Sequence, residues 1–264
     1  MARPAQPSPA TPQRQLTQAG VATFTDEGAG PVTFVCVHGL PGSVRDFRWL
    51  APVLAQGARV IRLELPGFGA CPAGQVAPTI TAFAAYVAEV ITALELERVA
   101  LVGHSFGAMV AAAAVHRLGG RPARVALINP IGLTPHPGFE AVRQPRLLRA
   151  AHEHRVVGRA VRPLVRRMFE GAGFKGFTPD HIARALAVLA HMQFEGHRGL
   201  VTSLPGPVLV AWADDDPVVP PRITAELLGA LPAGPRLHFR AGGHNLQKHE
   251  ALAVGRALLS WAAA

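Results

Sequence analysis

Residues 103–107, with the sequence Gly-His-Ser-Phe-Gly, constrain the fold of this chain more than any other feature. They directly follow the apolar run 98–102 and precede the alanine-rich stretch 108–118, so a strand, a sharp turn and a helix are predicted in that order. In a G-x-S-x-G turn the backbone bends so tightly that larger side chains two residues either side of the serine would collide, and the serine hydroxyl projects above the sheet. The following helix directs N–H groups and the positive end of its dipole toward that hydroxyl, which suits attack on an electrophilic carbon.

Short runs of apolar and β-branched residues alternate with helical patterns along most of the chain. Six runs are predicted as strands, at residues 33–38, 58–65, 98–105, 124–129, 207–213 and 236–240. A weaker run at 20–25 is typical of an edge strand. Strands that are apolar on both faces occur where helices cover both sides of a parallel sheet. The alternation therefore predicts an α/β fold with a mostly parallel central sheet and helices on both faces.

The segment 131–204 interrupts this alternation. It has no strand pattern, its helical patterns are broken by Pro and Gly, and it carries 11 basic and 5 acidic residues. We therefore predict a flexible N-terminal tail at 1–18, a core made of 19–130 and 205–264, and an inserted helical lid at 131–204. The charges of the insertion either face solvent or attract an anionic substrate to a lid over the site, and the sequence leaves both open.

Composition bounds the class of protein. With 264 residues, of which 49% are hydrophobic and 16% charged, the chain can form one main domain with a large core. No run reaches the ~18 consecutive apolar residues of a membrane span, and the N-terminal tail has no apolar signal-peptide core. We therefore expect a cytoplasmic protein without a membrane span. Cys36 and Cys71 form no disulfide framework and are expected to be reduced.

The net charge of +9 is the one feature that favours nucleic-acid binding. Against it, the chain has no basic run of five or more and no recognisable nucleic-acid module, and its excess of 24 Arg over 2 Lys fits a compositional bias. We expect a small-molecule substrate and no nucleic-acid partner. The sequence does not fix the oligomeric state.

A serine becomes a strong nucleophile only when a base accepts its proton and an acid orients that base. Candidates for both groups follow Ser105. Three aspartates occupy positions 214–216 after the apolar run 208–212, and His244 stands in a Gly-Gly-His-Asn segment after the last predicted strand.

Two further motifs precede the serine, H-G-L-P-G-S at 38–43 and L-P-G-F-G at 65–69. With the serine turn, the aspartates and His244, they resemble the α/β-hydrolase superfamily over residues 20–261. The resemblance implies that Ser105 is the nucleophile, that His244 is the general base, and that the backbone N–H groups of Leu40 and Phe106 form the oxyanion hole. It also implies that neither a cofactor nor a metal is required.

The acid of this superfamily commonly lies three residues after a Gly at a strand end and four before a Pro. Ala213 and Pro220 take those places here, which selects Asp216 and leaves Asp214 and Asp215 as solvated or capping neighbours. Glu64 and Cys71 stand where many relatives have Asp and Ser. These departures leave the subfamily open.

Several other patterns are not expected to be functional sites. The G-x-G-x-x-G match at 171–176 follows a helical pattern instead of a strand, which argues against dinucleotide binding. His152 and His154 lie two residues apart on different sides of a helix, which argues against a metal site. His38 and His104 are expected to support the site by hydrogen bonding, because only His244 follows a carboxylate in the expected order.

These features favour a cofactor-independent serine hydrolase that cleaves a carboxylic ester through an acyl-enzyme. Epoxide hydrolases and haloalkane dehalogenases carry an Asp nucleophile at this place, so Ser105 argues against both. A hydrolase of carbon–carbon bonds in a vinylogous diketo acid, a prolyl aminopeptidase, a thioesterase, a perhydrolase and a non-catalytic ligand receptor remain alternatives. The lid side chains expected to form the apolar wall of the pocket are Leu147, Leu148, Met168, Phe169, Phe174, Leu189, Met192 and Phe194.

Overall fold

A computed structural model describes residues 11–18, 20–74, 76–118, 123–136, 145–171 and 176–264. Its centre is an eight-stranded sheet with the strand order β1-β2-β4-β3-β5-β6-β7-β8. β1 and β2 pair antiparallel, β2 pairs antiparallel with β4, and all the other neighbours are parallel. The strands are β1 Gln13–Thr17, β2 Gly20–Glu27, β3 Thr33–Val37, β4 Arg59–Leu63, β5 Val99–His104, β6 Ala123–Ile128, β7 Leu209–Ala213 and β8 Arg236–Phe239.

Helices cover both faces of this sheet. After a short 3-10 helix at Val44–Phe47, they are α1 Ala51–Leu54, α2 Ile80–Ala93, α3 Phe106–Val115, α4 Pro145–Glu153, α5 Gly158–Gly171, α6 Pro179–Ala190, α7 Glu195–Thr202, α8 Pro221–Ala230, α9 Leu246–His249 and α10 Ala251–Ala263. The predicted fold class is thus confirmed. All six predicted central strands are present; five are one to three residues shorter than predicted, and β6 has the predicted length but begins and ends one residue earlier.

The core has two halves because the strands are apolar on both faces. On β3, Val35 and Val37 belong to the cluster formed with α2 and α3, whereas Phe34 and Cys36 belong to the cluster formed with α1 and α10. This alternation follows from the two-residue period of a strand. Every residue of β3 and β5 is buried, which explains their continuous apolar sequence.

The prediction of a flexible tail over 1–18 is wrong for residues 13–17. These residues form β1, which pairs with β2 in the register Gln13↔Phe24 to Thr17↔Gly20. The side chain of Gln15 also donates to the carbonyl oxygen of Ala93 at 2.9 Å. The sequence Gln-Arg-Gln-Leu-Thr has no apolar alternation, so the strand depends on backbone hydrogen bonds that side-chain patterns do not reveal.

The described parts of the insertion at 131–204 contain four helices, α4 to α7, and no strand. Several hydrogen bonds attach it to the core. From α6, Arg184 donates to the carbonyl oxygens of Pro66 and Val76, at 3.1 and 2.6 Å. From the core, the His116 ring bonds the carbonyl oxygen of Leu200 on α7 at 2.9 Å. Among the described helices, none combines the length and the apolar character that a bilayer-crossing segment requires.

Candidate active site

The turn that carries Ser105 joins the end of β5 to the start of α3. Ser105 has φ 54° and ψ −120°, a conformation that L residues rarely adopt, and its N–H donates to the carbonyl oxygen of Ile128 at 2.9 Å. A Cβ at Gly107 would overlap the carbonyl oxygens of Val37 and His38, and a Cβ at Gly103 would overlap the backbone of the next turn. Glycine is therefore required at both ends of the turn, as the sequence pattern predicts.

The structure brings together Ser105, His244 and Asp216, which lie 28 to 139 residues apart in the chain. The Ser105 Oγ lies 2.9 Å from the His244 Nε2, and the His244 Nδ1 lies 2.8 Å from the Asp216 Oδ2. All three side chains are buried. A carboxylate accepts and does not donate, so Nδ1 carries the imidazole proton and Nε2 is left to accept the proton of the serine hydroxyl.

Asp216 is ionised in this arrangement. Burial alone raises the pKa of its carboxyl group, but the hydrogen bond and the charge of His244, together with the amides of Val219 and Val218, hold that pKa below its ordinary value. The two amides donate to Asp216 Oδ1 at 3.0 and 2.8 Å, while Oδ2 is left for His244. The carboxylate can therefore stabilise a charged imidazolium.

Each of the three adjacent aspartates has a different partner. Asp214 lies 2.8 Å from the His238 ring at an exposed position. Asp215 accepts hydrogen bonds from the amides of Gly242 and Gly243, at 3.2 and 2.8 Å. Of the three, only Asp216 bonds His244. It is also the aspartate that the spacing from Ala213 and Pro220 selects.

The loop that carries His244 is fixed by residues from the ends of two central strands as well as by Asp215. The His104 Nε2 lies 2.7 Å from the carbonyl oxygen of His244, and the Asn129 Nδ2 donates to that of Gly243 at 2.7 Å. Burial, and next the charge of His244, lower the pKa of His104 to about 3, so its neutral ring donates through Nε2. The supporting role predicted for His104 therefore corresponds to a specific hydrogen bond, the one to the His244 carbonyl oxygen. Sequence reasoning missed Asn129 and the loop contact of Asp215; the position of Asn129 directly after a buried strand was the available signal.

The segment 38–43 lies against the nucleophile candidate. A Cβ at Gly39 would lie 3.2 Å from the Ser105 Cβ, so this backbone passes directly beside the serine. His38 fixes the segment, because its Nδ1 donates to the carbonyl oxygen of Gly39 at 2.7 Å and its Nε2 accepts from the amide of Leu65 at 3.0 Å. Burial lowers the pKa of His38 to about 4, so the ring is neutral. Leu40 follows Gly39, and Phe106 is the first residue of α3.

Side chains of the insertion divide into buried and exposed sets. Phe169 and Phe194 are buried in the cluster that includes α3, and Leu148 and Met192 pack against that cluster. Leu147 and Met168 are exposed and do not belong to that cluster, so their place in the wall of the pocket stays a prediction. Phe174 lies outside the described residues. Side-chain orientation on a helix depends on how that helix packs, which the sequence pattern alone does not give.

Arg184 is the arginine of the insertion that points inward most clearly. Its guanidinium lies 5.3 Å from the centre of the Phe83 ring, and Phe83 contacts the Phe106 ring edge to face at 6.0 Å. Burial, followed by the charge of Arg149, lowers the pKa of Arg184. Most arginines of the described insertion, at positions 155, 159, 162, 166, 167 and 198, are exposed. No cluster of three or more His, Cys, Asp or Glu side chains in the described ranges is arranged to hold a metal ion.

The family model of the alpha/beta hydrolase fold matches residues 32–151. A dihydrolipoyllysine-residue acetyltransferase component of the acetoin cleaving system from Cupriavidus necator is 26% identical over 86% of the chain, which spans 63% of that relative. A 2-hydroxy-6-oxo-2,4-heptadienoate hydrolase from Pseudomonas putida is 36% identical over 46% of the chain and 45% of its own length.

Solved structures give the same fold. A haloalkane dehalogenase from Bradyrhizobium elkani superposes with a TM-score of 0.75, over 96% of this chain and 97% of its own, at 20% identity. The sheet order, the serine turn and these comparisons agree on the α/β-hydrolase fold. The chain has the α/β-hydrolase fold, and its residues 32–151 match the model of that family.

Proposed function

We propose that this protein is a cofactor-independent serine hydrolase that cleaves a carboxylic ester through an acyl-enzyme. The observation that carries the proposal is the continuous hydrogen-bond chain from the Ser105 Oγ through both ring nitrogens of His244 to Asp216, at 2.9 and 2.8 Å. A serine next to a base that an acid orients is the arrangement of nucleophilic catalysis. Ser105 is the nucleophile, His244 the general base and Asp216 the orienting acid.

In the first half of the reaction, the Ser105 hydroxyl gives its proton to the His244 Nε2 as its oxygen forms a bond to the ester carbonyl carbon. The resulting oxyanion collapses, the bond to the leaving alkoxide breaks, and the proton on Nε2 passes to that oxygen. Water then attacks the acyl carbon, His244 accepts its proton, and the bond between carbon and Oγ breaks. The proton returns to Ser105 and the carboxylic acid leaves.

The oxyanion is stabilised by the backbone N–H groups of Leu40 and Phe106. Two contacts support this assignment: the backbone beside Leu40 lies against the Ser105 Cβ, and Phe106 opens the helix whose N-terminus faces the serine. Preorganised donors of this kind are worth roughly 3 to 4 kcal/mol each in related chemistry. The insertion at 131–204 is the lid, and its buried Phe169 and Phe194 favour an acid with an apolar chain.

Labelling with a fluorophosphonate and turnover of p-nitrophenyl esters of increasing chain length test the proposal. We expect the protein to label and to turn over esters, and we expect Ser105→Ala to lose both without a change in melting temperature. Ser260→Ala, at an exposed site on α10, is the matched control and should behave as wild type. A protein that neither labels nor hydrolyses any ester would instead be a ligand receptor on this fold.

A carbon–carbon bond hydrolase is the second candidate, favoured by the partial similarity to the heptadienoate hydrolase of Pseudomonas putida. Such a substrate carries a carboxylate, which needs a buried cationic partner. Arg184 points inward, but its Nε and Nη2 already donate to backbone carbonyl groups, which favours the ester. Turnover of a vinylogous diketo acid that exceeds ester turnover, and that Arg184→Met abolishes, would reverse this order.

A further inference from the structure

Large apolar side chains are exposed on one part of the insertion. Among the described residues, six large hydrophobic side chains are exposed, and five of them lie between positions 147 and 168. We name these five the apolar surface: Leu147 (66% exposed), Val156 (65%), Val157 (47%), Leu164 (67%) and Met168 (36%). The sixth, Val21 (37%), lies on β2. Single exposed hydrophobic residues are ordinary, but five of them on the helical hairpin formed by α4 and α5 mark an interaction site.

The geometry of α5 explains this exposure. Val165 and Phe169, one turn apart, are buried against the rest of the protein. Leu164 and Met168 are also one turn apart and therefore share a second face, which is exposed. Val156 and Val157 lie in the turn that leads into the same helix. α5 thus has one apolar stripe more than the protein itself covers.

The same hairpin is positively charged. Its two described acidic residues are each paired to an arginine one turn away, Glu153 with Arg149 and Glu170 with Arg166. Arg155, Arg159 and Arg167 are exposed and form no ion pair within the described part of the chain. Arg155 directly precedes the two exposed valines, and Arg167 directly precedes Met168. The exposed cations therefore adjoin the apolar surface in sequence.

We propose that this surface docks on a membrane that contains anionic lipids. Arginines beside exposed aliphatic side chains match a surface with anionic headgroups outside and hydrocarbon inside. A single-stranded nucleic acid would instead require exposed aromatic rings for base stacking, and Phe169 of α5 is buried. An acidic protein would satisfy the arginines but not the valines, leucines and methionine.

Co-sedimentation with vesicles tests the inference without reference to hydrolysis. We expect binding to phosphatidylcholine vesicles that contain phosphatidylglycerol, weaker binding to pure phosphatidylcholine, and release by high salt. Because each arginine near an anionic surface strengthens binding about fivefold, Arg155→Gln/Arg167→Gln should weaken it about 25-fold. Leu164→Gln/Met168→Gln should weaken binding at least as much at unchanged charge.

Two control variants carry the same kinds of substitution at exposed positions of the α/β core, outside the insertion. Arg14→Gln/Arg256→Gln removes the same charge from exposed positions on β1 and α10, and Val21→Gln removes the exposed hydrophobic residue of β2. Both should bind as wild type, and circular dichroism should show that all variants are folded. No binding to anionic vesicles, or equal losses in the core controls, would overturn the inference. The inference would also be overturned if the protein did not bind vesicles but was retained on duplex DNA or on an acidic peptide, and if Leu164→Gln/Met168→Gln left that retention unchanged.

Discussion

Replacing Asp216 by Asn tests the proposed acid most sharply, because the structure dictates how the new amide must lie. Asp216 Oδ1 accepts from the amides of Val218 and Val219, at 2.8 and 3.0 Å. In Asp216→Asn the side-chain oxygen must take that place, since the NH2 group would otherwise face two N–H donors. The NH2 group is therefore directed at the His244 Nδ1, where it can only donate.

The consequence is the wrong tautomer of the base. With Nδ1 accepting, the proton of the neutral imidazole moves to Nε2, which then faces the Ser105 Oγ and cannot take its proton. The same change in a serine hydrolase triad lowers kcat by about 10⁴, or about 5.5 kcal/mol in the activation free energy. We expect a loss of this size in kcat with KM little changed.

The assay is steady-state turnover of a p-nitrophenyl ester, with thermal melting to show that the variant is folded. Asp214→Asn is the matched control, because Asp214 is exposed and bonds His238 instead of His244. It should retain kcat within about twofold, since its side chain makes an exposed contact that does not reach His244. Retention of more than a tenth of wild-type kcat by Asp216→Asn, or an equal loss in Asp214→Asn, would refute the assignment.

Three further outcomes are expected. His104→Leu removes the hydrogen bond to the His244 carbonyl oxygen and should lower kcat about tenfold and shift the pH profile of kcat. His104→Gln supplies an N–H donor again and should restore part of the rate. Gly107→Ala should prevent folding, because the added Cβ overlaps the Val37 and His38 carbonyl oxygens. Its matched control is Gly199→Ala on α7, where the added Cβ meets open space. This control should raise the free energy of unfolding, measured in urea, by about 0.4 to 1 kcal/mol. Burial lowers the pKa of His38 from 6.5 to about 4, so the unfolded chain binds the proton more tightly. Stability from this group is full above pH 6.5 and falls by about 3 kcal/mol as pH drops to 4, which urea unfolding at several pH values should show as a gentler slope in His38→Gln.

Features that local sterics fix could be predicted from the sequence. The turn around Ser105 is one, because Gly103 and Gly107 are demanded by backbone contacts within a few residues and by the neighbouring strand. The six central strands are another, because burial on both faces leaves a continuous apolar run such as β3. β1 was missed because its polar side chains carry no such signal, although its backbone pairs fully with β2.

The apolar wall of the pocket could be predicted only in part. Helix α5 has two apolar stripes, one with Phe169 and the other with Met168, and both satisfy the same periodic pattern. Which of them turns inward is decided by how α5 packs against its neighbours, a property of the tertiary structure. The sequence therefore assigned both residues to the pocket, and Met168 is exposed.

The three aspartates show why a motif can identify a site without explaining it. Spacing from Ala213 and Pro220 selects Asp216, but spacing does not say what the other two carboxylates do. In the structure, the chain turns after β7, so Asp216 bonds the amides of Val218 and Val219 within its own loop and presents its second oxygen to His244. The same turn places Asp215 against the amides of Gly242 and Gly243, so it holds the backbone of the loop whose side chain Asp216 orients. Two neighbouring carboxylates thus constrain His244 from two sides, a division of roles that depends on loop geometry and that composition alone does not encode.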